Sequence, residues 1–448
     1  MNTLIVIISI CCTIGSIQLF RLAAGSMSPL KFNTVSYVFY VQIITAGLVG
    51  SVLLATGVLD YHPDVAFISD QIKFEAWVWT MYSILAMPIG MIMLNRVIGV
   101  NGRKRFVAYL NAPIAIMGSE NRNKLALLLL TGFAALVLTY ILMNTTRVPL
   151  YTLLVEGNSD QANIDRITSR RNFGGIIYIK NLLGLIVIPV IAYYAYVFMR
   201  TKKSFFYLLL FLVNLTIALI MVSHDVQKAP IAFFILGFAI MEVFISKGLN
   251  FRTMLFFVGF PVALVLIGYT LTTEANSLDQ LVRFNSSFYG RTFLGSYFGF
   301  PLSLELFPEV ITEQTYMIGV PKAFLPEQFE NAQESARLLK IYTHPETIKA
   351  GTGNLYSGFY MGEAWANYGY LGLVIAPFVV GFVVQTVHLF VLLHKKSPLL
   401  LAFYAALTVK WVVGSGFVSF LFLKMLIWPI ILYSILNVVL KRILKAES

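Results

Sequence analysis

The sequence predicts an all-α polytopic membrane protein, and two properties of the whole chain lead to this prediction. Of its 448 residues, 58% are hydrophobic and only 12% are charged, with a mean hydropathy of +0.78. Soluble domains carry roughly a quarter charged residues. Segments this apolar cross a bilayer as helices, because only a helix satisfies its own backbone hydrogen bonds there. We therefore expect residues 1–448 to form a single membrane domain.

Apolar segments recur along the chain at about the 20-residue length that spans the hydrocarbon of a bilayer, and they predict about 11 transmembrane helices. We place them at residues 2–20, 34–59, 76–95, 124–143, 174–199, 205–223, 229–246, 254–273, 370–393, 399–414 and 416–438.

The basic residues predict the orientation of these spans. Alternate connections hold most of the lysines and arginines, as in Arg103 to Arg105, while the others hold most of the acids. Cytoplasmic connections carry the excess of basic residues. The N-terminus is thus predicted outside and the C-terminus in the cytoplasm. The net charge of +12 is spread over short connections, which argues against a nucleic-acid partner.

Residues 274–369, here called the long connection, lie before the ninth span and form the longest stretch that could not sit in a bilayer. They predict a large external (periplasmic) loop inserted within the membrane domain. Its many aromatic residues, among them Tyr297, Tyr360 and Trp365, argue against disorder. We expect a folded cap over the outer face, with the working site beneath it.

Several cations fall where the orientation rule does not place them. A convergence of such groups near the outer leaflet suits a diphosphate, which Arg binds bidentately and Lys as a point charge. The competing interpretations are pairing with acids or snorkelling to the interface. The predicted substrate-binding cations are Arg291, Arg283, Arg170, Arg171, Lys228 and Lys424.

The sequence gives little support for other kinds of chemistry. The chain has no D-x-D pair, no H-E-x-x-H, no P-loop and no G-x-S-x-G, so we expect neither a metal nor a cofactor. Of five histidines, His388 and His394 lie at the inner end of a span, and His62 lies in a short outer connection among acids. His224 and His344 are left as residues that could face the site.

The stretch GEAWANYGYLG, Gly362 to Gly372, contains the first catalytic candidate. If it is helical, Glu363, Asn367 and Tyr360 share one face. We expect Glu363 to activate an acceptor hydroxyl or to position the group that does, with His344 as the second candidate. Gly362, Gly369 and Gly372 would permit close helix approach. The competing interpretation is a carboxylate that stabilises a helix N-terminus.

At this point the chain resembles a family. The many-span layout, the late external loop, the proline-punctuated VPKAFLPEQF (Val320 to Phe329) and GEAWANYGYLG are similar to the bacterial oligosaccharide repeat-unit polymerases, the O-antigen and capsule polymerases of the Wzy type. The layout covers the whole chain, whereas the motifs occupy only residues 288–372. Many members carry an arginine in a Gly-Ser-Arg-like turn, where SHDVQKAP of this chain has Lys228 instead.

The resemblance implies a metal-independent, inverting glycosyl transfer at the outer face of the bacterial inner membrane. The growing glycan leaves undecaprenyl diphosphate and joins an acceptor hydroxyl of the incoming lipid-linked repeat unit. The partners implied are this lipid-linked oligosaccharide and the bilayer, and a chain-length regulator stays open.

Two alternatives also stay open. An O-antigen ligase would share the fold and the donor but would transfer the glycan to lipid A core. A flippase or other transporter of lipid-linked sugars would also line a path with cations, but internal repeats and broken helices would be typical of it.

Overall fold

The structure is a computed structural model that describes residues 2–60, 62–272, 293, 295–313, 315, 333–349, 356, 359–410, 417 and 427–445. All regular structure in these ranges is helical. The helices are α1 (Asn2–Ala24), α2 (Thr34–Ala55), α3 (Asp70–Ile98), α4 (Gly102–Asn111), α5 (Glu120–Met143), α6 (Pro149–Leu154), α7 (Ser159–Arg171), α8 (Ile179–Lys202), α9 (Phe205–Ser223), α10 (Lys228–Ile245), α11 (Phe251–Thr272), α12 (Gly299–Leu306), α13 (Ser335–Thr343), α14 (Pro345–Lys349), α15 (Phe359–Leu393), α16 (Pro398–Lys410) and α17 (Ile427–Lys445).

Eight stretches of helix among the described residues are long and apolar enough to cross a membrane, and they lie on α1, α2, α3, α5, α8, α9, α15 and α17. Three shorter apolar helices, Ala229–Ile245, Phe251–Leu264 and Pro398–Lys410, coincide with three further predicted spans. The chain is therefore a helical membrane protein of several spans.

Two apolar cores hold the helices together. The α3 bundle consists of α1, α2, α3, α12, α13 and α15. The α8 bundle consists of α4, α5, α8, α9, α10, α16 and α17, and the end of α15 joins it through Val391 and Leu392. Since α15 packs in both cores, it links the long connection to the rest of the protein.

Buried hydrogen bonds between helices add specific contacts to this apolar packing. The Gln385 amide on α15 donates to the carbonyl of Ala23 at 3.0 Å and to the side-chain oxygen of Asn95 at 2.7 Å. One turn further along α15, His388 Nδ1 lies 3.0 Å from the Tyr404 hydroxyl. Because such contacts form in an apolar environment, they fix how α1, α3, α15 and α16 pack against each other.

The described parts of the long connection are packed among the helices. The Tyr297 hydroxyl lies 2.9 Å from the hydroxyl of Thr80 on α3, and the Tyr360 hydroxyl is hydrogen-bonded to Ser83 on α3. All four side chains are buried. Residues 295–304 contain no charged side chain, which suits this buried packing against α3.

Glycines shape the start of α15. The helix is broken at Gly369, where φ is 57° and ψ is −142°. A Cβ on Gly372 would lie 2.1 Å from the Ala364 carbonyl oxygen, and one on Gly362 would lie 3.0 Å from the Gly299 carbonyl oxygen. The predicted close approach is thus confirmed at Gly362 and Gly372, while Gly369 supplies a left-handed backbone angle instead.

Candidate functional site

His344 directly follows α13 and contacts groups from distant parts of the chain. Its Nε2 lies 3.3 Å from Asp64 Oδ1, and 26% of its side chain is exposed. Its Nδ1 lies 3.2 Å from the Tyr356 hydroxyl and 3.0 Å from the Thr343 hydroxyl. We call Asp64, His344 and Tyr356 the histidine cluster. Its imidazole has partners on both nitrogens and is still accessible to a substrate.

The partners of His344 define the role of each ring nitrogen. A carboxylate can only accept a hydrogen bond, so Nε2 carries the proton that faces Asp64. The lone pair on Nδ1 then faces the hydroxyls of Tyr356 and Thr343. Burial is the largest cause raising the pKa of the Tyr356 phenol, which keeps it a donor at neutral pH. A neutral imidazole with its lone pair directed at a hydroxyl has the arrangement of a general base.

The connection between α2 and α3 forms the other side of this site. Its single turn Pro63–Phe67 is preceded by His62, whose Nδ1 accepts from the Asp64 main-chain N–H at 3.2 Å. The Phe67 ring lies edge-on to the His344 ring at 6.0 Å. Burial lowers the pKa of the His62 imidazole despite the nearby Asp64 carboxylate. His62 therefore lies beside the histidine cluster, whereas the sequence led us to expect only His224 and His344 at the site.

His224 lies in a separate, closed cluster of the α8 bundle. Its Nδ1 is 2.6 Å from the Met221 carbonyl oxygen and its Nε2 is 3.0 Å from Asp225 Oδ1. Lys180, whose side chain is 5% exposed, lies 3.7 Å from the same carboxylate oxygen. Both nitrogens of His224 lie against protein atoms and its side chain is 2% exposed, so a substrate hydroxyl has no access to the ring. Of the two histidines retained from sequence, His344 has the geometry of a base.

Glu363, the first candidate from sequence, is half-buried on the opening part of α15. The expected shared face exists, since the Asn367 amide donates to the Glu363 main-chain carbonyl at 2.7 Å. The Asn367 side-chain oxygen accepts from Thr315 at 2.9 Å. Tyr360 is engaged with Ser83. These hydrogen bonds hold Asn367 through the Glu363 main chain and Thr315, and Tyr360 through Ser83, and the role of the Glu363 carboxylate stays a prediction.

The predicted diphosphate-binding cations remain predictions. Arg291, Arg283 and Lys424 lie outside the described residues. Arg170 and Arg171 end α7 and Lys228 begins α10, but the side chains of these three residues are also outside the described part. Near the histidine cluster, the ammonium of Lys340 lies 4.6 Å from the centre of the Tyr356 ring.

Within the described ranges, no group of three or more His, Cys, Asp and Glu side chains is arranged to hold a metal ion. The histidine cluster itself pairs one carboxylate with one imidazole and one phenol. This set can accept and relay a proton.

Sequence reasoning missed Asp64 and Tyr356. The signal for Asp64 was present in the segment His62-Pro63-Asp64, a proline-fixed turn with an acid beside a histidine. Nothing in the local sequence shows that this turn meets a segment hundreds of residues later. Tyr356 had no local signal, as it is one of 23 tyrosines.

The chain matches no protein-family model, no curated protein and no solved structure. Composition and fold thus define a class, the helical membrane proteins of several spans.

Proposed function

We propose that the protein polymerises lipid-linked oligosaccharide repeat units at the outer face of a bacterial inner membrane. It would transfer the growing glycan from undecaprenyl diphosphate to an acceptor sugar hydroxyl. The observation that carries this proposal is the histidine cluster: an accessible imidazole with a carboxylate on Nε2 and a hydroxyl on Nδ1. Such a base suits deprotonation of an alcohol. The sequence resemblance supplies the substrate class.

In the proposed reaction, the acceptor hydroxyl takes the place of the Tyr356 hydroxyl at His344. Its proton moves to Nδ1 as its oxygen bonds to the anomeric carbon of the donor glycan. The bond from that carbon to the diphosphate oxygen breaks, and the electron pair leaves with undecaprenyl diphosphate. Arg291, Arg283, Arg170, Arg171, Lys228 and Lys424 are the proposed cations for this charge, which fixed positive groups stabilise without a metal.

We propose His344 rather than Glu363 as the base. His344 has a carboxylate on one nitrogen and a hydroxyl on the other. Asn367 and Tyr360, which were expected to orient Glu363, are held by other partners. Glu363 stays the alternative base.

The test is polymerisation by purified protein supplied with lipid-linked repeat units, read as glycan ladders. We expect His344→Gln to lower turnover by at least about 100-fold, because a general base contributes on that order. Glu363→Gln should retain most activity. The matched control is His394→Gln, since His394 is exposed and bonds only within its own helix end, to the Phe390 carbonyl. Normal ladders from His344→Gln would remove His344 from the reaction, and an inactive Glu363→Gln would then return that role to Glu363.

A gene deletion separates the polymerase from the two alternative functions. Loss of long glycan with one repeat unit still attached to the core identifies a polymerase. Complete loss of surface glycan identifies a ligase or a flippase and contradicts the proposal.

A further inference from the structure

Asp64 is held in place before any substrate arrives. Pro63 opens its turn with a fixed φ, and the neighbouring Val65 and Ile68 are buried. After the turn, the Glu305 carboxylate of α12 accepts from the Ser69 main-chain N–H at 2.9 Å and from the Ser69 hydroxyl at 2.8 Å. The turn is therefore fixed to both α3 and the long connection, and its carboxylate faces His344 without rearrangement.

The Asp64 carboxylate faces His344 and also Tyr356, whose phenol pKa is raised by burial and further by the charge and hydrogen bonding of Asp64. His62 Nδ1 is 4.0 Å from Asp64 Oδ2, but that nitrogen already accepts from the Asp64 main-chain N–H and so cannot donate to the carboxylate. Lys73, the nearest lysine in sequence, bonds to Asp60 at 2.9 Å and to Asp70 at 2.7 Å.

We propose that Asp64 is the positioning residue of the base: it accepts the Nε2–H of His344, which keeps the lone pair on Nδ1, and it stabilises the imidazolium that forms when the acceptor proton arrives. This inference rests on the proposed function. A base held in one tautomer by a carboxylate loses much of its rate when that carboxylate becomes an amide, because the amide can present its N–H group to the ring and reverse the tautomer.

The test uses Asp64→Asn in the polymerisation assay, with turnover expressed per folded protein and the donor KM and the pH profile measured in parallel. We expect kcat to fall by at least about 100-fold with the donor KM unchanged. A positioning role should also change the acid limb of the pH profile of kcat, which a merely structural role would leave as it is. Besides Asp64, the groups that face His344 are His62 from the same turn and Tyr356, with Lys340 over the Tyr356 ring.

The matched control is Asp60→Asn. Asp60 belongs to the same connection, and its substitution removes the same charge as Asp64→Asn. Because Asp60 pairs with Lys73, kcat and the acid limb of the pH profile should stay at wild-type values in Asp60→Asn. Asp64→Glu keeps a carboxylate and should recover part of the rate lost in Asp64→Asn. If Asp64→Asn and Asp64→Glu reduce only the amount of folded protein, with kcat per folded protein and the acid limb unchanged, Asp64 is structural and the inference fails.

The His344→Gln variant distinguishes the role of His344 as the base from the role of Asp64 as the positioning residue. An inactive His344→Gln beside a fully active Asp64→Asn overturns the positioning role and leaves the proposed base intact. A fully active His344→Gln overturns the proposed base itself.

Discussion

The histidines of this chain show, at the scale of single residues, how hydrogen-bond partners decide what an imidazole can do. His344 has a carboxylate on one nitrogen and a hydroxyl on the other, whereas His224 has acceptors on both. His62 accepts a main-chain N–H and caps a turn. The same side chain is thus a candidate base, part of a closed ionic cluster and a structural cap.

Lys396 shows how burial changes an ionisable residue at a helix connection. It is 4% exposed, and its ammonium donates to the carbonyls of Leu110 and Ala112 at 3.0 and 2.9 Å. Burial, with the Lys247 charge as a smaller cause, lowers the pKa of Lys396 from 10.5 to about 8. Between these values the unfolded chain keeps a proton that the folded protein has released. The free energy of unfolding therefore rises with pH across this window.

We expect the free energy of unfolding of the wild type, relative to Lys396→Met, to rise by about 2 kcal/mol between about pH 7.5 and about pH 10. Denaturant unfolding in detergent at both values measures it. Lys395→Met is the control, because Lys395 is the exposed neighbour and should show no such difference. Parallel pH profiles for the wild type and Lys396→Met would contradict the prediction.

At the scale of elements, the long connection packs against α2 at two glycines that lie one turn apart. A Cβ on Gly47 would lie 3.0 Å from the Phe359 ring. A Cβ on Gly50 would lie 2.5 Å from the Phe293 carbonyl oxygen and 2.8 Å from Tyr297 Cβ. Main chain and aromatic rings therefore pack directly on the α2 backbone, which any larger residue would prevent.

Gly50→Ala should lower the free energy of unfolding by about 1–3 kcal/mol, since overpacking a tight contact forces neighbouring backbone to move. Thermal unfolding in detergent would detect the change. Gly132→Ala is the matched control, as Gly132 lies inside α5 and its Cβ would meet nothing within 4 Å. A midpoint of Gly50→Ala equal to that of the control would show that the connection does not pack there as described.

At the scale of the whole molecule, the contact between Asp64 and His344 places two connections on one side of the protein. Ala66 lies in the turn that carries Asp64, and Gln333 precedes the helix that leads to His344. Arg103 follows α3 at its opposite end. A helix of 29 residues is about 43 Å long, enough to cross a bilayer.

Single cysteines at Ala66 and Gln333 should therefore react with a membrane-impermeant thiol reagent from the same side, and one at Arg103 only from the other. The charge distribution predicts that the first two face outward. The experiment uses cells with a permeable outer envelope and a chain without its native Cys11 and Cys12. Labelling of the cysteines introduced at Ala66 and Gln333 from opposite sides would contradict the fold. Labelling of the cysteine introduced at Arg103 from outside would contradict the orientation.

The sequence by itself determined the class of protein and the approximate position of its helices. Membrane spans are local, because about 20 consecutive apolar residues specify one whatever surrounds it. Each predicted segment overlaps a helix in the described part of the chain. It also identified His344 as a candidate and Gly362 and Gly372 as points of close packing. The families and substrates that it suggested remain a proposal.

Only the tertiary structure decided which polar side chains meet. Asp64 and His344 come together because α3, α12 and α13 share one apolar core, and no local pattern encodes a contact between residues so far apart in sequence. The same reason explains why Asn367 also bonds to Thr315 and why Tyr360 bonds to Ser83, contacts that no local pattern predicts. Hydropathy specifies the helices segment by segment, whereas hydrogen-bond partners depend on how those segments pack.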